Sequence, residues 1–235
     1  MFLLHFCLIF LSGRCNKKIT LFGSCRLESL SCYNNRIRDE ISYTYDTKET
    51  LEVIKFLKYN HITSEQSLVT FRTPMLTKIP ICYENLEHVL DSTDIFIIEI
   101  SGKKTYKYKD LYIHSFLKDI DNILITSEII INRQNDDEIE NDILAIIKLL
   151  NTQNIIIVSH IVTDEKSERY ELSNLLQQIC SKYNILFINP VKEITQKGYN
   201  IYDLVDASEK KIIHYNRHGN NVIKEIYQEY INKLS

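Results

Sequence analysis

Gly23-Ser24-Cys25-Arg26 closes the apolar run "KKITLF" and opens a helix-compatible stretch, setting a hydroxyl, a thiol and a guanidinium side by side. Either Ser24 or Cys25 could attack a carbonyl if an imidazole took its proton, a third group fixed that imidazole and hydrogen-bond donors met the oxyanion. Ser24 at a strand-to-helix turn offers its hydroxyl, and its own N–H would point to where an oxyanion forms. An isolated Gly-Ser more often only caps the helix that follows. Cys25 is the rival nucleophile, since a thiol at a helix N-terminus is acidified and could pair with His214 or His160, and its bland role is a small buried residue.

Such a turn does chemistry only where other groups converge on it. The C-terminal ends of parallel strands share one rim, so residues just past each strand become neighbours however far apart in sequence. The strand candidates are "ITLFG" (19–23), "DIFIIEIS" (94–101), "NIIIVSH" (154–160) and "NILFINP" (184–190), with a weaker one at "ISYTY" (41–45). Their rim collects Ser24, Cys25, Arg26, Ser101, Gly102 and His160, and His214 precedes the last helical stretch. The Gly102 amide and Ser101 are candidates for holding an oxyanion. Arg26 reads either as an anion-binding group or as a loop strut, and His160 as a pocket residue or a structural one. Glu99, near the end of an apolar strand, is costly if buried unpaired, so a cation such as Arg26 or Lys103 is expected beside it. The Lys- and Tyr-rich run 103–109 could grip a glycan or phosphate, or be a solvated loop.

Helical patterns alternate with the strands. "TKETLEVIKFLKY" (47–59) opens with a Thr cap and keeps Leu51, Ile54 and Leu57 at helical spacing. "DDEIENDILAIIKLL" (136–150) carries its acids in the first turn, where the helix dipole favours them. "SERYELSNLLQQICSKY" (167–183) and "GNNVIKEIYQEYINKL" (219–234) behave alike. This order predicts an α/β fold, a three-layer α/β/α sandwich around a flavodoxin-like, mostly parallel five-stranded sheet. Residues 102–133 read as an excursion past a strand end, where an α/β protein builds its pocket. Residues 18–235 are expected to form a single domain.

Composition narrows the function classes. With 235 residues, 44% hydrophobic and 25% charged, the chain can bury a substantial core. A formal net charge of -3 with scattered Lys and Arg argues against a general grip on nucleic acid or anionic lipid. The six cysteines form neither a CxxC pair nor a zinc-spaced Cys/His cluster, so no metal is expected and the thiols are read as reduced. Residues 1–16, "MFLLHFCLIFLSGRCN", are an apolar leader or extension outside the fold, too short for a stable membrane span. A cytoplasmic protein is expected, or a secreted or membrane-associated one if that segment acts as signal or anchor.

The two ends of the chain together carry a resemblance. "LFGSCR" (21–26) and "HYNRHG" (214–219) resemble, in content and position, the first and last blocks of the SGNH (GDSL-type) hydrolase superfamily, in its Gly-Ser-Cys branch. The resemblance implies a serine esterase or O-acyltransferase acting on a small-molecule or glycan ester, without a cofactor, with Ser24 as nucleophile and His214 as general base. The family's acid, three residues before the histidine, is Lys211 here, so Asp203, Asp206 or Glu209 would substitute, with Asp206 taken forward. The family's Gly-x-Asn-Asp block is replaced by "IEISGKK", which leaves Ser101 and Gly102 to hold the oxyanion. The missing acid equally fits an SGNH-fold module that binds a glycan or small molecule without turning it over. A phosphate-binding turn of Rossmann type is a weaker reading, since neither GxGxxG nor a Walker lysine is present.

Overall fold

The computed structural model describes residues 17–33, 36–119, 126–206 and 214–234; the leader, Glu209 and Lys211 lie outside the described residues. Four short Ile-rich runs become a parallel sheet: β1 (Ile19–Phe22), β2 (Ile95–Ile100), β6 (Ile155–Ser159) and β7 (Leu186–Ile188), in the order β1-β2-β6-β7. The register pairs Phe22 with Ile98 and Glu99 with Val158, so the strand ends form the expected rim.

Strand alternation divides the apolar residues between two cores. Phe22, Phe96, Ile98 and Ile157 face helices α2 (Thr47–Tyr59), α5 (Asp136–Leu150) and α6 (Glu168–Lys182). Leu21, Ile97, Ile156 and Val158 face the 3-10 turn Cys25–Tyr33, helix α7 (Pro190–Gln196) and helix α8 (Arg217–Lys233). Burying an Ile is worth roughly 1.5–3 kcal/mol, and the sheet's Ile residues are spent on both faces, which gives the three layers. Three short helices, α1 (Arg36–Glu40), α3 (Ser64–Thr70) and α4 (Arg72–Thr77), fill the long crossover from β1 to β2.

The weak strand at 41–45 does not form, so the central sheet has four strands among the described residues rather than five. Ser42 adopts φ 89°, which breaks the extended run. The segment instead crosses the rim. Thr44 N–H donates to the Gly23 carbonyl, and the Ser101 and Gly102 amides both donate to the Tyr45 carbonyl. The N-cap of α2 is Asp46, whose carboxylate accepts from Glu49 N–H at 2.9 Å, one residue before the expected Thr47. The excursion after β2 is a small antiparallel sheet of β3 (Lys104–Tyr108), β4 (Leu111–Tyr112) and β5 (Ile129–Arg133), in the order β4-β3-β5.

The block around His214 has a mechanical explanation. β8 (Val205–Asp206) and β9 (His214–Tyr215) pair antiparallel and set His214 opposite Asp206. Asn216 caps α8 by accepting from Gly219 N–H at 2.8 Å and donates from its side chain to the Asp203 carbonyl at 2.9 Å. A Cβ on Gly219 would sit 2.0 Å from the Leu204 carbonyl oxygen, so only glycine lets the helix start against that backbone. Gly219→Ala should therefore lower stability by about 2–4 kcal/mol in chemical denaturation. Gly102→Ala, with nothing closer than 3.9 Å to its added Cβ, should change it little.

Candidate functional site

Glu99 determines how the Gly23-Ser24-Cys25 turn is aimed. Its carboxylate is 1% exposed at the end of β2 and accepts from Ser24 N–H at 3.0 Å and from Ser24 Oγ at 2.6 Å. Arg26 closes the triangle, with Nη1 3.7 Å from Glu99 Oε1 and 2.8 Å from Ser24 Oγ. The cation expected beside Glu99 is thus Arg26, while Lys103 reaches Asp136 at 2.7 Å. Gly23 permits this approach, since it adopts φ 143° and a Cβ there would lie 2.6 Å from Glu99 Cβ.

That arrangement separates the two candidate nucleophiles. Ser24 is fully buried, its hydroxyl held by Glu99 and Arg26, and it makes no hydrogen bond to His214. Cys25, half-buried, places Sγ 3.6 Å from His214 Nδ1. A cavity of about 640 Å³ opens at this point, and Cys25, Arg26, His160 and His214 line it while Ser24 does not. The expected Ser24–His214 pair is therefore replaced by a Cys25–His214 contact, because Ser24 donates its amide and hydroxyl to the buried Glu99 carboxylate and the next residue along the turn faces the cavity.

The remaining site candidates sort the same way. Asp206 is exposed and makes no hydrogen bond to His214 among the described residues, although the two are cross-strand neighbours. The Ser24 and Gly102 amides are not available for an oxyanion, because Ser24 N–H is taken by Glu99 and Gly102 N–H by the Tyr45 carbonyl at 3.2 Å. Ser101 Oγ, in contrast, is buried without a partner and Ser101 lines the cavity. His160 donates from Nδ1 to the Ile161 carbonyl at 2.6 Å, which leaves Nε2 as a buried acceptor with no partner. Burial, then the Arg26 and Arg169 guanidiniums, hold His160 well below the ordinary histidine range, so it stays neutral.

The cavity wall also holds residues that pattern reading passed over. The rim-crossing segment brings Tyr43, Tyr45 and Asp46, and Glu49 comes from α2, Arg72 from α4, Arg169 from α6 and Tyr106 from β3. Asp46 and Glu49 carried a readable signal, an acid pair three apart before an apolar helical stripe, the signature of a capped N-terminus. Arg72 and Arg169 carried none. The Lys/Tyr run is part of the wall through Lys104 and Tyr106 rather than a detached loop.

Asp46 is pushed up to about 7, first by burial, and Glu49 is raised well above the carboxylate range by burial and then by Asp46. A carboxyl group raised in the fold holds a proton that the unfolded chain has lost, so stability falls as pH climbs above the ordinary carboxylate range. Glu49→Gln keeps an acceptor for Tyr45 N–H, which Glu49 binds at 2.8 Å, and should flatten that decline. Thermal unfolding from pH 4 to 8 should show Glu49→Gln gaining on the wild type as pH rises.

No group of three or more His, Cys, Asp or Glu side chains among the described residues is placed to hold a metal ion, and no helix there is long and apolar enough to cross a membrane. Among the described residues Cys82 and Cys180 are free thiols.

The sequence matches no protein-family model and no curated protein. Among solved structures it is similar to Axe2, an acetylxylan esterase from Geobacillus stearothermophilus, at 11% identity and a TM-score of 0.42, covering 92% of this chain and 94% of that one. Two catalytic mutants of the same esterase align over the same spans at 12% identity and a TM-score of 0.45. Likeness at this level assigns neither a substrate nor catalytic residues.

Proposed function

We propose that the chain is an acyl-transfer enzyme, an esterase or O-acyltransferase acting on an ester, with Cys25 as nucleophile and His214 as its base. The observation that carries this reading is the 3.6 Å contact between Cys25 Sγ and His214 Nδ1 at the edge of a cavity. His214 would take the thiol proton as sulfur attacks the ester carbonyl, then deliver that proton to the leaving alkoxide as the thioester forms. Water or an acceptor hydroxyl, deprotonated by His214, would attack the thioester carbonyl and release the free thiol. Ser101 Oγ, an unpartnered donor on the wall, suits the oxyanion. Whether the acyl group lies on a glycan is part of the proposal and rests on the two-block resemblance alone.

Ser24 then acts as a positioning residue through Glu99. Incubation with p-nitrophenyl acetate should deposit an acetyl group on Cys25, seen by peptide mass spectrometry. Cys25→Ala should abolish turnover and His214→Ala reduce it by about 100-fold or more. Ser24→Ala should lower stability by about 1–3 kcal/mol, because buried Glu99 loses a donor, and keep the acetyl adduct on Cys25. An adduct on Ser24, or turnover that survives Cys25→Ala, returns the nucleophile to Ser24. Stable folded protein with no adduct at either residue would favour the binding-module reading.

A further inference from the structure

The cavity is more positive than the chain that forms it. The whole sequence has a formal net charge of -3. The wall, however, carries Arg26, Arg72, Lys104 and Arg169 against only Asp46 and Glu49. Burial lifts both acids toward their protonated forms, so near neutrality the pair carries less than its formal charge. Arg26 is matched by Glu99. The other cations have no carboxylate partner among the described residues: Arg72 donates to Ser42 Oγ at 3.3 Å and stacks on Tyr43 and Phe116, and Lys104 lies over Tyr106. Glu168, next to Arg169 in sequence, pairs with Arg133 instead.

Arg72 is partly buried and Arg169 and Lys104 are exposed at the cavity rim, so an anion entering there would meet charged donors that no described carboxylate occupies at ion-pair distance. Desolvation and then the like charge of Arg26 press the Arg169 pKa down, while Glu99 and Glu168 pull it the other way without closing an ion pair. Independently, two buried polar atoms on the same wall, Ser101 Oγ and His160 Nε2, have no hydrogen-bond partner among the described residues; both residues are 3% exposed. Neutral His160 offers a lone pair, which suits a hydroxyl donor. Cations, an acceptor for a hydroxyl and tyrosine faces together describe a ligand that is anionic and hydroxylated.

We propose that the substrate bound here is an anionic, hydroxyl-bearing compound such as an acidic or phosphorylated sugar, its phosphate or carboxylate held by Arg72 and Arg169 and a hydroxyl by His160. This rests on the acyl-transfer reading only in placing the reaction at Cys25; the binding itself does not require turnover.

Protection of Cys25 from iodoacetamide, scored by peptide mass spectrometry, tests it. The probes are glucose 1-phosphate, glucuronate and glucose, which share a ring and differ in charge. The charged sugars should protect at concentrations roughly tenfold below glucose, as expected for a charge-assisted hydrogen bond. Which of the two is better tells phosphate from carboxylate. Arg169→Gln and Arg72→Gln should remove most of the preference and Arg169→Lys keep part of it, with unchanged melting temperatures showing that the fold survives. Equal protection by all three, protection by none, or a preference that persists in both glutamine variants overturns the proposal. If native Cys25 resists alkylation, calorimetric titration of the same sugars decides it, and absence of heat from the charged ones counts against it. Loss of p-nitrophenyl acetate turnover with anion binding intact would overturn only the acyl-transfer reading.

Discussion

The buried Glu99 carboxylate is the constraint from which the site follows. An acid at the end of an apolar strand has to find partners, and here the amide and hydroxyl of Ser24 donate to it and the guanidinium of Arg26 supplies the opposite charge. Gly23 leaves room for that approach. With Ser24 turned inward, the following residue, Cys25, meets the cavity beside His214. One desolvated charge thus sets the orientation of three consecutive side chains.

The opposite wall is built by a comparable economy. The segment from Ile41 to Asp46 gives up strand pairing, bonds to the ends of β1 and β2 through backbone groups, and delivers Tyr43 and Tyr45 to the cavity. Asp46 then caps α2 and Glu49 accepts from Tyr45 N–H while both stand in the same wall, so a local helix-start device becomes part of a ligand surface. The Asn216–Gly219 clamp does the equivalent for His214, tying the start of α8 to the Leu204 backbone just beside β9.

Much of this framework was legible in the chain. The Ile-rich runs at 95–100 and 155–159 and the helical stripes at 47–59 and 136–150 stand where pattern and capping put them, because burial on both faces leaves a continuous apolar run and a half-buried helix a 3.6-residue stripe. The rim also gathered Cys25, Arg26, Ser101 and His160 as parallel topology requires, and the antiparallel β8–β9 pair brings His214 to them. The segment 41–45 misled because its Ile and Tyr residues favour strands while Ser42 adopts a positive φ that composition does not reveal.

Sequence by itself thus determined the layers and the strand ends that meet, since periodicity is local. Tertiary structure alone decided which of two adjacent heteroatoms faces His214, and that a chain of net negative charge lines one cavity with more cations than acids. The first outcome depends on desolvation and the second on which distant segments the fold brings to one rim. What a carboxylate or guanidinium must pair with is set by how far the finished fold removes it from water, and residue order does not record that.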